Sequence, residues 1–409
     1  MRISIIGAGV VGVTTAYMLA KLGHEVSVFD REPGAAMESS FANGGQLSYG
    51  FASPMGTPSL LGKVPAIMVG ADPAFKLPSV ISADFVTWAL QFLRHCLPAR
   101  SRRDAAALAE LAGRSGEVFK TILDEVELSF GHRKADKLVL LKSPSDFEKA
   151  RKSASASGQS ARKMVLSWRE CLALEPALEK YNGQPSGGIW VEADEVGDAA
   201  QFSEQLVSHC QENFGAKFFF NSDVARIVHD KDGVREVILS DDERHASDAV
   251  VVSTGVAGKK LLQQLGVGLP ICPVMGYSLT APAGPHAPEI AVTDAAYKIV
   301  FSRIDQQVRI AGFADFGIAS EERRRQRVQD LIRVARKLIP EVADYSQIRS
   351  TWIGARPATP GSLPIVGGTK IPGLYMNMGH GMFGWTLSAV TAQELAKLIG
   401  PASLVSRAA

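Results

Sequence analysis

Cysteine, long apolar runs and any surplus of one charge are what this sequence has least of. Its four cysteines, Cys96, Cys171, Cys210 and Cys272, lie far apart and form no CxxC pair. That pattern signals neither a disulfide framework nor a zinc site, so buried reduced thiols and no metal are expected. Lysine plus arginine number 44 against 42 aspartate plus glutamate. Such a balance gives no bulk attraction for nucleic acid, and no dense basic run carries interleaved aromatics, so nucleic acid is not an expected partner. No stretch reaches the roughly 20 apolar residues of a membrane span. The first apolar run, Ile3 to Ile6, is followed at once by glycines and reads as part of a folded unit rather than a leader. A cytoplasmic chain is expected, and its 409 residues leave room for two domains.

What is present begins almost at the first residue. The stretch ISIIGAGVVGVTTAYMLAKLGHEVSVFD places Gly7, Gly9 and Gly12 after an apolar run and before an alanine-containing helical pattern, and its second apolar run, Glu25 to Phe29, ends in Asp30. Gly7 permits the tight turn, Gly9 lets backbone approach a pyrophosphate, and Gly12 lets the helix pack closely on the sheet. Asp30 is placed to bond ribose hydroxyls. Strand, glycines, helix, strand and acid together identify a dinucleotide site, without yet separating NAD from FAD.

The next segment, residues 31–62, is rich in Gly, Ser, Pro and Asn and reads as a long functional loop. Two helices with a period near 3.6 follow, separated at Pro98. A strand covers KLVLLKS, and a short helix ends near Pro176. Beyond Gly197 come a helix, a strand at 217–221, two strands about the turn DKDG, and a buried strand running into Thr254 and Gly255. Short adjacent strands followed by a buried strand and a glycine suit a flavoprotein nucleotide domain better than a nicotinamide one. Strands at CPVMGYSLTAP and AYKIVFSRIDQQVRIAGFADF precede a charged helix. Near the end, GARPATPGSLPIVG reads as a loop, Leu374 to Met378 as a strand, and GHGMFG as a glycine loop before a last amphipathic helix.

These segments resemble, over the whole length, the D-amino-acid oxidase and glycine oxidase superfamily of FAD enzymes. Within it GAGVVGVTTAYMLAKLGHEVSVFDREPGAAMESSFANGGQLSYGFASP, MGYSLT, WIGARPATPGSLPIVG and GHGMFGWTLS are similar to the bacterial D-amino acid dehydrogenases. The resemblance implies a two-domain α/β (α+β) fold. Residues 1–85, 193–262 and 345–409 would form a discontinuous, Rossmann-like FAD-binding domain of the glutathione-reductase type, and 86–192 and 263–344 an antiparallel-sheet substrate domain. It also implies non-covalent FAD held by Gly7, Gly9, Val10, Val11 and Gly12 at the pyrophosphate, by Asp30 at the ribose and by Arg31 at the adenine rim. Ser39, Ser40, Asn43, Gly44, Gly45 and Gln46 would run along the diphosphate and the flavin, with Val224 at the adenine and Thr254 and Gly255 passing beneath. Gly381, Gly384, Trp385 and Thr386, at the start of the last helix, would face the pyrimidine edge of the flavin, where a positive helix end stabilises the reduced anion.

For the substrate, Arg356 resembles the family arginine that grips the carboxylate, a task suited to a bidentate guanidinium in a dry pocket. Tyr277 is expected either to give the carboxylate a second hydrogen bond or to roof the site, with a core tyrosine as the other reading; His380 is expected to act as a base or to position water or flavin. The implied reaction is oxidation of an amino acid by hydride transfer from Cα to flavin N5, giving a 2-oxo acid and ammonia after hydrolysis. Where the family pattern reads KGYSLT this chain has Met275, a departure that favours an acceptor other than oxygen, a quinone or a redox carrier. Residues 59–97 are apolar, proline-broken and edged with basic residues; they read as a lid, a subunit interface or a peripheral contact on the inner face of the cytoplasmic membrane. A cyclic D-amino acid such as D-proline or D-hydroxyproline, glycine and sarcosine remain alternative substrates. A nicotinamide dehydrogenase and a flavin-holding relay subunit are the alternatives from other classes. Oligomeric state is not signalled.

Overall fold

The computed structural model describes residues 1–78, 80–157 and 163–402. Residues 403–409 of the expected FAD-binding domain, 158–162 of the expected substrate domain and Ser79 of the apolar segment lie outside the described residues. The opening segment folds as β1 (Arg2–Ile6), α1 (Val10–Lys21) and β2 (Glu25–Phe29). The later elements that build the site are α2 (Pro98–Glu125), α3 (Ala199–Phe214), β3 (Cys272–Pro282), β4 (Gln307–Phe316), α4 (Glu321–Leu338), β5 (Ser350–Ala358) and α5 (Gly384–Ile399).

The first sheet has six strands in the order Lys217–Phe219, β2, β1, Ala249–Val252, Leu374–Met378 and Ile365–Gly368. All its pairings are parallel except the last, at the edge. A parallel strand covered on both faces must be apolar throughout, and Ile3 to Ile6 and Ala249 to Val252 are buried without a break. Helices α1, α3 and α5 cover one face, and their interior is filled by a ring cluster in which Phe202 of α3 lies 5.3 Å from Phe119 of α2 and 4.9 Å from Trp385 of α5. α3 begins on Asp198, whose side chain accepts the Ala200 and Gln201 amides, and it stops at Gly215 in the left-handed region. A three-stranded antiparallel unit, Val224–Asp230, Gly233–Leu239 and Arg244–Ala246, turns at DKDG as its sequence predicts.

The second sheet has nine strands. Their order is β5, β3, β4, Ile299–Ile304, Ala291–Asp294, Lys137–Leu141, Gly187–Val191 and Lys163–Ser167, with Phe75–Lys76 added alongside β4. It is antiparallel apart from the Ala291–Asp294 pairing with Lys137–Leu141 and the added strand. α4 packs on it, capped by Ser320 with Glu321 and Glu322 in its first turn and Arg336 and Lys337 in its last, a charge order that matches the helix dipole. Two seryl hydroxyls join the long loop after β2 to this sheet: Ser278 donates to the carbonyl of Ala42 and Ser302 to that of Gly44, each at 2.7 Å.

Two expectations are corrected. The segment GARPA is strand rather than loop: β5 pairs with β3 so that Val274 faces Arg356 and Pro273 faces Pro357. Pro357 is tolerated because β5 is an edge strand, where a missing N–H leaves no ladder bond unmade. β5 therefore belongs to the second sheet, although the expected division at residue 345 put it with the first. The sequence reading also passed over the helix Pro144–Ser157, whose serine-rich, weakly patterned residues give little periodic signal.

The apolar segment 59–97 forms short helices at Pro58–Leu61 and Val64–Met68, the strand Phe75–Lys76 and the helix Ala83–His95. One side of it packs Phe75, Trp88 and Phe92 with Phe316 of β4. Trp88 donates its indole N–H to the carbonyl of Ala358 at 2.9 Å, which ties this covering segment to the strand carrying Arg356.

Candidate functional site

One cleft runs from the end of β1 to the beginning of α5 and encloses about 1270 Å³ of empty space, part of it open to solvent. Of the residues expected to bind cofactor, Gly7, Gly9, Val10, Val11, Asp30, Arg31, Ser39, Ser40, Asn43, Val224, Thr254, Gly255, Gly381, Gly384 and Trp385 all line it. Gly12 does its work from behind: a Cβ there would collide with the carbonyl oxygen of Gly7, so only glycine lets α1 start this close to β1. Gly7 itself has φ +103°, and a side chain on it would meet the backbone of Ser253 at 2.8 Å.

Gly44, Gly45, Gln46 and Thr386 stand outside the cleft lining and shape it indirectly. A Cβ on Gly44 would press against Val300 at 2.8 Å. Gly45 has φ +69°, and its N–H is donated to the Asn43 side chain at 2.9 Å. Gln46 pairs with Val196 in a short ladder. Thr386 accepts the Ser48 N–H at 3.1 Å, fixing the first turn of α5 against that loop.

Two helix N-termini open into the cleft without a side-chain cap, α1 at Gly9 and α5 at Phe383. Their leading N–H groups and dipoles favour anions or developing negative charge. Ser40 Oγ lies close to the first of them and accepts the Val10 N–H at 3.1 Å. Asp30 is held by the Ala8 amide at 2.5 Å and the Glu32 amide at 2.9 Å, while burial pushes its carboxyl pKa up. Arg31 is ion-paired with Glu38 at the rim.

Four buried polar atoms on cleft-lining residues have no partner among the described residues: Ser253 Oγ, Thr254 Oγ1, Asn377 Oδ1 and Trp385 Nε1. Orphaned donors and acceptors, a backbone cradle of glycines and two uncapped helix ends are what a phosphate-bearing, polyhydroxylated ligand such as FAD would satisfy.

Arg356 enters the same cleft from β5. Its guanidinium lies against Gly276, where a Cβ would overlap it, and Nη1 donates to the carbonyl of Phe313 at 2.9 Å. Burial lowers its pKa to about 10, opposed by Tyr277 and Asp315, so it remains cationic at neutral pH. Among the described residues it forms no ion pair with a carboxylate, which leaves a half-buried cation facing the cleft with an unmet demand for an anion.

The other two expected substrate residues stand elsewhere. Tyr277 is fully buried, outside the cleft lining, and donates its hydroxyl to Asp315 at 3.0 Å; it is the core tyrosine of the two readings. His380 borders the cleft, but its Nε2 lies 3.0 Å from Thr391 Oγ1. That hydroxyl donates to the carbonyl of Leu387, so the histidine holds its proton on Nε2. Burial drives the His380 pKa down to about 3, and a ring this reluctant to accept a proton is a poor base. Met275 also lies off the cleft, 3% exposed in the second core, and so carries no argument about oxygen.

Sequence reasoning missed a buried polar group beside the loop after Gln46. Lys137 donates to Ser48 Oγ at 2.7 Å, and burial lowers its pKa to about 8. Asp194 accepts the Gly50 amide at 2.7 Å and is pushed up to about 6 by burial, with Lys137 opposing. A lone lysine opening a strand gives no signal of this pairing in the sequence.

Two outcomes follow from this geometry. Gly12→Val should give protein that retains almost no flavin, read as the ratio of visible to ultraviolet absorbance, because its side chain forces α1 away from Gly7. Lys137 loses its proton near pH 8 when folded and near 10.5 when unfolded. Between those values the unfolded chain binds more protons at this group, so the Lys137 contribution to stability should rise with pH, by roughly 3 kcal/mol across the window, read as the difference between the wild type and Lys137→Met. Urea unfolding of Lys137→Met should lack that rise.

Comparison with known proteins agrees with the cleft. Residues 2–398 match the family model DAO, described as FAD dependent oxidoreductase. A D-amino acid dehydrogenase of Neisseria meningitidis is 35% identical over 408 residues, covering 98% of this chain and 96% of its own length. One of Methylobacterium radiotolerans is 34% identical over 409 residues with the same two coverages, 98% and 96%. Among solved structures, glycine oxidase from Bacillus cereus has a TM-score of 0.72 at 19% identity over 97% of this chain and 94% of its own. L-proline dehydrogenase from P. horikoshii gives 0.72 at 18% identity, over 97% and 92%. These structures share the fold, and the family match together with relatives covered almost end to end shows the family: the chain belongs to the DAO family of FAD dependent oxidoreductases.

Proposed function

We propose that this flavoenzyme oxidises D-amino acids to 2-oxo acids and ammonia and passes the electrons to an acceptor other than oxygen, a quinone or a redox carrier. The observation that carries the substrate reading is Arg356, a half-buried guanidinium that has no acidic partner among the described residues and shares a cleft with the start of α5. The relatives at 34–35% identity are named D-amino acid dehydrogenases, which supports the stereochemistry.

FAD would be held along the cleft from Gly7, Gly9 and Asp30, past Ser39, Ser40 and Asn43, to Gly381 and Gly384. Bound FAD supplies the acceptor for the hydride that leaves the substrate Cα. The chain's own part is to bind, orient and dry the substrate. Arg356 takes the carboxylate in a charge-assisted pair, strengthened because its surroundings exclude water. Fixing that end restricts the Cα–H to a narrow set of directions, which is the main catalytic gain available to a site with no strong base. His380 is neutral and engaged with Thr391, so the reactive amine must enter the site already deprotonated. The imino acid product needs only water to become the 2-oxo acid and ammonia.

For the acceptor, the apolar segment exposes Met68, Val69, Val80, Ile81 and Leu90, and the exposed basic residues Lys63, Arg94, Arg100, Arg102 and Arg103 lie in or just after it in sequence. Apolar anchors with basic flanks suit an anionic membrane surface, where a quinone would be met. No helix among the described residues is long and apolar enough to cross a membrane.

Arg356→Leu should leave the flavin bound while kcat/KM for D-alanine, followed with an artificial electron-accepting dye, falls about 100- to 1000-fold, the loss expected for a buried charge-assisted pair. Turnover near that of the wild type would contradict the proposed substrate site.

A further inference from the structure

Arg356 reaches the cleft on a long side chain, and something must keep it pointed there. Its one hydrogen bond to backbone is to the carbonyl of Phe313, in the middle of β4. Phe313 has φ +63°, in the left-handed region, although it sits within a strand. The ladder slips at the same place: Tyr277 pairs with Gly312, while Met275 pairs with Asp315, so β4 carries an extra residue opposite β3. This bulge turns the Phe313 carbonyl toward Arg356, and a residue in that conformation persists only where its surroundings enforce it.

Arg327, on α4 and 5% exposed, grips the bulge from both sides. Its guanidinium carbon lies 3.8 Å from the centre of the Phe313 ring. Its Nε and Nη2 bond the two oxygens of Asp315 at 2.8 and 2.9 Å. Asp315 also accepts the Tyr277 hydroxyl at 3.0 Å and is 2% exposed. It is the acid whose charge bears on Arg356, and it already accepts hydrogen bonds from these three donors. Without Arg327, a buried, uncompensated carboxylate would stand near the one guanidinium of the cleft that lacks an acidic partner, and would compete with any bound anion for it.

We propose that Arg327 is a positioning residue for the carboxylate site: by engaging Asp315 and bracing the Phe313 bulge, it keeps Arg356 free of internal acids and aimed at the substrate. This rests on the reading of Arg356 as the carboxylate-binding residue. It also accounts for a fully buried ion pair, Arg327 with Asp315, at a place where apolar residues would fill the space at lower desolvation cost.

The test titrates the FAD-loaded enzyme with propanoate, which has the carboxylate and carbon skeleton of alanine without its amine, and follows the flavin spectrum. Arg327→Met should raise the propanoate Kd about 20-fold or more, and adding Asp315→Asn should recover most of that loss, a coupling that independent structural damage would not produce. If Arg327→Met does not accumulate folded, Arg327→Lys serves in its place: it keeps a charge but loses the two-pronged bond, and should weaken propanoate about fivefold, again recovered by Asp315→Asn. An unchanged Kd in the Arg327 variants, or a double variant as weak as the single, overturns the assignment. Arg356→Leu separates the two levels of the argument. If it leaves propanoate binding intact, the carboxylate site itself is misplaced; if it abolishes binding while the Arg327 variants bind normally, only the positioning role falls.

Discussion

A half-buried cation without an anion among the described residues is the constraint around which this structure is organised. Taking a guanidinium out of water is costly unless its donors are met, yet Arg356 has a backbone carbonyl on one side and open cleft on the other. Gly276 gives it room, β5 brings it in from a sheet edge, and the β4 bulge provides the carbonyl that steadies it. The acid that could have neutralised it is already engaged by Arg327 and Tyr277. The arrangement stores a demand for a carboxylate, which under the proposed function the substrate would meet.

The first sheet makes the complementary half of the site. Glycines bring α1 against β1 so closely that no side chain can intervene, and the N–H groups at its start face the cleft. The second uncapped helix start, at Gly384, is delivered by the strand Leu374–Met378 and locked through Thr386 to Ser48. Ser278 and Ser302 fasten the loop between the two sheets, so the cradle for FAD and the sheet that presents Arg356 are joined by short, direct bonds.

Much of the first half was legible from sequence because its signals are local. Glycine spacing, an apolar run and a terminal acid within thirty residues specify one strand–helix–strand unit, and each residue's job follows from its immediate neighbours. The second half depends on contacts between distant strands. Whether Tyr277 faced the cleft or the core turned on the pairing of β3 with β4, which placed its hydroxyl on Asp315. His380 read either as a base or as a residue that positions water or flavin, and α5 folds back Thr391 to hold it. GARPATPG looked like a loop for its prolines and glycines, whereas an edge strand accommodates Pro357. Arg327 and Asp315 read as one more charge in a charged helix and one more acid in a strand; only the bulge at Phe313 brings out what they do together.

The central claim, that this cleft oxidises D-amino acids held by Arg356, is tested most directly by the visible spectrum of the flavin-loaded protein under anaerobic conditions. D-alanine, D-proline, glycine and the matching L-amino acids would be added in turn. Bleaching of the flavin bands by D-amino acids, with L-enantiomers inert, is the predicted result. A yellow protein that no D-amino acid bleaches, or one bleached equally by both enantiomers, would contradict it.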